Sequence, residues 1–221
     1  ASGEFVTFLD DDDEYFSNKV SAQVAHVLSD DLDISLCAMQ AVRNGRLVSY
    51  EGSSPRGENL REFLLFGNAF TPMIMVRREL LVDVGGFPIS NRFQDHLLML
   101  RLLERHPRVG ILREPLYRFH MHDGERVTFS ERSAEALQMK HMEEARLSVN
   151  LPENERNLLA FRQRKELLWV HARHGAYLRK LVSALAGAKN VKEALAYISA
   201  AARGVAGRAK LLRTVRAWLQ T

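Results

Sequence analysis

A short run of β-favouring residues, Phe5-Val-Thr-Phe-Leu9, stops at four consecutive aspartates, Asp10 to Asp13. A run of this kind suits a strand buried on both faces of a sheet. In open α/β sheets the ligand lies just beyond the carboxyl ends of the strands. Neighbouring carboxylates repel one another, so four in a row are costly unless water solvates them or a cation sits among them. Such hard oxygen donors suit Mg²⁺ or Mn²⁺ shared with substrate phosphates. The plainer reading is a solvated acidic turn that ends a strand.

Downstream, strand and helix patterns alternate. Ser17 is placed to cap a helix from about Asn18 to Leu28, with Val20, Val24 and Val27/Leu28 as its inner stripe. The segment "DISLCAMQAVRNGRLVSY" reads as a β-hairpin turning at Asn44-Gly45, where both positions need positive φ. A short helix is predicted from Asn59 to Phe66, a strand in "FTPMIMV", and a short helix in "RRELLVDVGGF" stopped by Gly85-Gly86. Phe93 to His106 is so rich in Leu and Met that it predicts a largely buried helix, and "VGILREPLYRFHMH" predicts one or two strands. From Ser133 onward the pattern is helical, with breaks near "NLP", "GAKN" and "RGVAG". The expectation is an α/β domain over 1–130 followed by a helical extension over 131–221.

Charge divides the chain in a similar way. Residues 151–221 carry 14 Lys and Arg against 4 Asp and Glu, whereas residues 1–150 are net acidic. Cys37 is the only cysteine, which excludes an internal disulfide and a cysteine-rich metal site and fits a reducing compartment. No apolar run reaches the length of about 18 residues that a spanning helix needs. The opening "ASGEF" lacks the basic and apolar regions of a signal peptide.

The stretch "ASGEFVTFLDDDDEYFSNKVSAQV" resembles the segment of family 2 glycosyltransferases, of the GT-A fold, that carries their metal-binding DXD motif. Ala1, Gly3, Phe5, Val6, Phe8, Leu9, Asp10, Asp12, Asp13, Tyr15 and Lys19 all fit that pattern. Three further segments follow in the family's order. "FTPMIMVRRELLVDVGGF" resembles its strand and helix ending in Gly-Gly-Phe, and "RFQDHLLMLRLLE" its helix bearing the catalytic base. "EPLYRFHMHDGERVT" resembles its closing segment. The resemblance covers roughly residues 1–130. It implies the C-terminal portion of a GT-A mixed-sheet domain, lacking the N-terminal half that grips the nucleotide. A strand apolar on both faces also needs neighbours on both edges, so a fragment of a longer transferase is expected.

The resemblance further implies an inverting, metal-assisted transfer from a nucleotide-diphospho-sugar. It assigns the divalent cation chiefly to Asp12, with Asp10 nearer the ribose or the metal's water shell and Asp13 a weaker ligand. Asp95 becomes the general base, its carboxylate kept ionised by the helix dipole. Where the family has Glu-Asp, this chain has Gln94-Asp95. His122 matches the family's late histidine and is a candidate for the metal shell, with a strand-end histidine bonding backbone as the alternative. Arg118 and Arg126 are candidates for the diphosphate, set against ordinary surface arginines.

In the tail, Leu211, Leu212, Val215, Trp218 and Leu219 form one apolar helix face, with Arg208, Lys210, Arg213 and Arg216 largely away from it. That pattern suits either packing within the tail or docking on an anionic membrane. The expected partners are a nucleotide-sugar donor and a carbohydrate or lipid-linked acceptor, with no nucleic acid. The expected location is cytoplasmic, at most peripheral to the membrane's inner face. Two other classes stay open. One is a helical interaction module without catalysis. The other is a haloacid-dehalogenase-type phosphatase, against which Asp13 and Glu14 stand in place of that family's motif.

Overall fold

The computed structural model describes residues 1–90, 92–121, 133–174 and 178–218. Two compact units form, one from residues 1–126 and 143–149, the other from 127–142 and 150–221. No helix among the described residues is long and apolar enough to cross a membrane.

The first unit is built on a six-stranded mixed sheet. Its strands are β1 (Phe5–Thr7), β2 (Glu14–Tyr15), β3 (Ile34–Arg43), β4 (Arg46–Val48), β5 (Ile74–Arg77) and β6 (Val109–Met121). The order is β1-β5-β3-β6-β2, with β4 paired to the far end of β3. Only β3 and β6 run parallel. The central strand β3 is buried along nearly its whole length, as its apolar composition requires. The Asn44-Gly45 turn forms as expected, at φ 50° and 75°. β1 departs from expectation. It lies at the end of the strand order, pairs with β5, and is only half-buried.

The helices of this unit are α1 (Lys19–Ser29), α2 (Leu60–Phe66), α3 (Arg78–Asp83) and α4 (Gln94–Leu103), joined by the end of α5 (Ser133–Leu147). Asn59 caps α2, its Oδ1 accepting from the Glu62 backbone N–H at 2.9 Å. α4 buries Leu97, Leu98, Met99, Leu100, Leu102 and Leu103, as its composition predicts.

α1 is a correction in two respects. Ser17 does not cap it; Asn18 occupies the cap position without a side-chain bond, and its amide donates to Glu114 Oε1 instead. Its inner face is Lys19, Gln23 and Val27, while Val20 and Leu28 are 49% and 61% exposed. The physical reason is a polar network worth more than two apolar contacts. Gln23 Nε2 donates to the carbonyls of Ser35 (2.9 Å) and Met73 (3.0 Å), and Gln23 Oε1 accepts from Lys19 Nζ at 2.6 Å. Lys19 Nζ also donates to Thr7 Oγ1 at 3.0 Å and lies 4.1 Å from the centre of the Tyr15 ring. α1 is thereby tied to β1, β3 and the 3₁₀ turn Thr71–Met73.

The second unit contains most of α5, with α6 (Glu153–His174), α7 (Leu178–Ala186) and α8 (Val191–Trp218). Leu168, Ala184, Tyr197 and Ala200 form its core, with the Phe161 ring tilted against Tyr197 at 5.3 Å between centroids. The breaks at "NLP" and "GAKN" appear, but "RGVAG" is helical throughout. A helix glycine costs about 1 kcal/mol, and the buried Gly204 is accommodated within α8.

Candidate functional site

The acidic run is a tight turn. Asp13 N–H donates to the Asp10 carbonyl at 3.1 Å, closing the four residues at the end of β1. The strand behind it is held firmly. Thr7 Oγ1 donates to the Ile74 carbonyl at 2.9 Å, and the Tyr15 hydroxyl bonds the Phe8 carbonyl. Phe87, just after Gly85-Gly86, packs edge-on against Phe8 with centroids 4.9 Å apart. Both glycines have positive φ, 76° and 69°, which a glycine adopts without strain. The Gly-Gly-Phe turn therefore braces the strand that ends in the aspartates.

The carboxyl of Asp10 is raised by loss of water on its protein side and by the charges of Asp12 and Asp11. Asp13 is pushed up to about 6 by burial, then by Asp12 and Asp10, against a hydrogen bond from the His120 backbone N–H to its Oδ1 at 3.1 Å. The strand-end aspartates thus crowd one another in the folded state.

Asp95 sits in the first turn of α4. Its Oδ1 accepts from the His96 backbone N–H at 2.7 Å. Phe93, which precedes the helix, has φ 59°, uncommon for a bulky residue and costing of order 1–3 kcal/mol. The helix dipole does not prevail at Asp95. Burial raises its carboxyl to about 6, the Asp10 charge adds to this, and the His96 N–H and Arg92 only partly oppose it. At neutral pH the group remains mostly ionised, yet poised near the range where a base works best.

Asp10 and Asp95 therefore share one electrostatic neighbourhood. The fully buried Tyr117 feels both charges. Its hydroxyl, which donates to Met39 Sδ at 3.0 Å, is pushed far above its ordinary value by burial and by Asp13, Cys37, Asp10 and Asp95. A shift in the pairing of β6 with β3 at Pro115 sets the register in which Tyr117 faces Met39.

The sign of the pH linkage follows. Asp13 and Asp95 bind protons more tightly when folded than at their ordinary value of 3.8. Their contribution to stability is present below that value and is lost as pH rises through about 6. A cation at the cluster would offset this loss at neutral pH.

Gln94 has a structural role that a glutamate could not fill. Its amide Nε2 donates to the Ser90 carbonyl, and Ser90 Oγ donates to the Arg92 carbonyl at 2.6 Å. A carboxylate only accepts. Gln94→Glu is accordingly expected to loosen the turn before α4 and lower stability by about 1 kcal/mol, measured by denaturant unfolding; an unchanged midpoint would remove this role.

One buried pair anchors the same helix. His96 Nε2 lies 2.9 Å from Oε1 of the fully buried Glu144, and the His96 ring packs 5.0 Å from Phe63. Sequence reasoning missed this pair because its partners lie far apart in the chain.

Arg118 faces Glu14 across β2 and β6, with Nη1 2.6 Å from Oε2. It is engaged by a carboxylate in this form of the protein. His120, two residues before the candidate His122, meets Asp13 through its backbone N–H and lies 3.8 Å from the Glu14 carboxylate through its ring. His122 and Arg126 lie outside the described residues. Among the described residues, no group of three or more His, Cys, Asp or Glu is placed to hold a metal ion. Mg²⁺ and similar ions usually keep several waters and use one or two carboxylates plus substrate phosphates. The crowded strand-end carboxylates fit a cation shared with a phosphate substrate, and not an all-protein cage.

No protein-family model matches the sequence, and no curated protein matches it either. Solved structures do. TarS 1-349 of S. aureus in complex with UDP-GlcNAc matches with a TM-score of 0.53 at 22% identity, over 90% of this chain and 56% of that one. A second structure of S. aureus TarS 1-349 matches with a TM-score of 0.50 at 21% identity, over 90% and 55%. The chain spans little more than half the length of the structures it matches. At these identities the likeness shows the fold alone: a mixed α/β domain continued by helices.

Proposed function

We propose that this chain carries the sugar-transfer portion of a nucleotide-diphospho-sugar-dependent glycosyltransferase, with Asp95 as its general base. The observation that carries the reading is a tight turn of four aspartates beyond β1, closed by the Asp13 N–H on the Asp10 carbonyl, in the same compact unit as a half-buried Asp95 in the first turn of α4. It is supported by a fold shared with a protein crystallised with UDP-GlcNAc.

Transfer needs a base on the acceptor and relief of charge on the leaving diphosphate. Asp95 is half-buried and mostly ionised at pH 7, so it can take the acceptor hydroxyl proton as that oxygen attacks the anomeric carbon. The bond to the diphosphate breaks on the opposite face and its electron pair leaves with the diphosphate, which inverts the centre. A divalent cation, Mn²⁺ or Mg²⁺, would be held chiefly by Asp12, with Asp10 and Asp13 beside it, and would supply positive charge at the diphosphate. The His120 N–H orients the Asp13 carboxylate. We assign the acceptor as a carbohydrate or lipid-linked hydroxyl; the apolar and basic faces expected over 208–219 lie outside the residues whose side chains are described.

The reading is tested by titrating UDP-, GDP- and dTDP-sugars, with and without Mn²⁺, into a form of the protein that includes the nucleotide-gripping half the resemblance implies. The cation is expected to tighten binding of one donor at least about tenfold, and Asp12→Asn to abolish that gain. Donor binding indifferent to Mn²⁺ and to Asp12→Asn would remove the cation from the proposal.

A further inference from the structure

The basic unit holds a hollow that the transferase reading does not use. Arg162, Lys165, Glu166 and Trp169 line one side of it, at i, i+3, i+4 and i+7 on one face of α6. Ala200 and Arg203 of α8 line the other. The volume is about 270 Å³. Ala200 is buried, and its small side chain leaves room between Trp169 and Arg203.

The charge of this hollow is one-sided. Its single carboxylate, Glu166, is engaged from behind. Lys140 Nζ, itself 4% exposed, lies 2.7 Å from Glu166 Oε2, and His141 Nε2 lies 3.0 Å from the same oxygen. Burial works to raise the Glu166 carboxyl, but the bonds from His141 and Lys140 and the charge of Arg162 more than offset it, holding it at about 2. The buried lysine consumes the carboxylate's charge, so Lys165 and Arg203 add positive charge with no acid of their own in the hollow. Lys165 Nζ rests 4.9 Å from the Phe161 ring, and Arg203 commits one of its donors to Ser199 Oγ at 2.9 Å.

We propose that this hollow is a binding site for a phosphorylated sugar unit. Lys165 and Arg203 take the anion by charge-assisted hydrogen bonds, while Arg162 lies 3.7 Å from the Glu166 carboxylate. Trp169 offers an aromatic wall to the ring, an apolar body with a polar edge. The size is below that of pockets for drug-sized ligands, so one such unit fits and a whole nucleotide sugar does not. The inference concerns the second unit alone and stands apart from the transferase reading, so Asp95→Asn leaves it untouched.

The sequence has two tryptophans, Trp169 and Trp218. In a Trp218→Phe background, Trp169 is the sole reporter of the hollow. Its fluorescence is followed on titration with glucose 1-phosphate, glucose, and vesicles of phosphatidylglycerol or phosphatidylcholine. Glucose 1-phosphate is expected to bind and glucose not. Lys165→Gln/Arg203→Gln is expected to weaken binding at least about tenfold. Arg179→Gln/Lys192→Gln removes the same charge from exposed positions outside the hollow and is expected to change it less than about twofold. Binding confined to phosphatidylglycerol vesicles would overturn the sugar phosphate and leave a lipid headgroup as the occupant. No response to any phosphate probe, or equal weakening by both variants, would overturn the proposal.

Discussion

Asp95→Asn is expected to leave donor affinity unchanged and to lower turnover by about 10²–10⁴-fold, the range a positioned general base supplies. The substitution keeps the side chain's shape and its acceptance of the His96 N–H, so the first turn of α4 should persist. It removes only the capacity to take a proton. The pH profile is the sharper test. A base held at about 6 makes kcat/KM fall as pH drops below that value and level off above it. Because the Asp10 charge helps to raise Asp95, Asp10→Asn should shift that limb to lower pH. A turnover that survives Asp95→Asn, or a limb that Asp10→Asn does not move, would sink the base assignment or its coupling respectively.

The largest expected effect on stability falls at Gln23, away from the site. Gln23→Leu removes two bonds to buried carbonyls and strips a fully buried ammonium of its amide partner. Burial already lowers Lys19 to about 8. Leaving a buried charge with fewer partners costs about 3 kcal/mol or more, which lowers the unfolding midpoint by something on the order of 10 °C. Gln23→Glu does not repair it, since a carboxylate cannot donate to the Ser35 and Met73 carbonyls. Lys19→Met in the Gln23→Leu background should recover part of the loss, because the stranded charge goes with it. A Gln23→Leu protein as stable as the parent would show that the network is incidental to the fold.

The contrast between these residues explains what could be read in advance. The acidic turn, the Asn44-Gly45 hairpin and the buried α4 were legible because each rests on local chemistry: adjacent charges, positive φ, apolar density. The inner face of α1 was misread because valine looks more buriable than lysine or glutamine. What decides the matter is the presence of carbonyls on β3 and on the Thr71–Met73 turn at the right distance, and those come from other parts of the chain. Asp95 was legible as a candidate but not its pKa. The helix dipole alone points to a lowered value, whereas burial and a carboxylate from β1 raise it.

Sequence alone determined most of the order of strands and helices, though not the short β2, together with the acidic strand end and the basic helical region, since these follow from side chains and their near neighbours. The tertiary structure alone decided that Asp10 and Asp95 feel each other's charge, that Glu144 and His96 meet, and that Lys140 occupies Glu166. Each of these is a through-space interaction that falls off over a few ångströms, and no spacing along the chain encodes a distance of that kind.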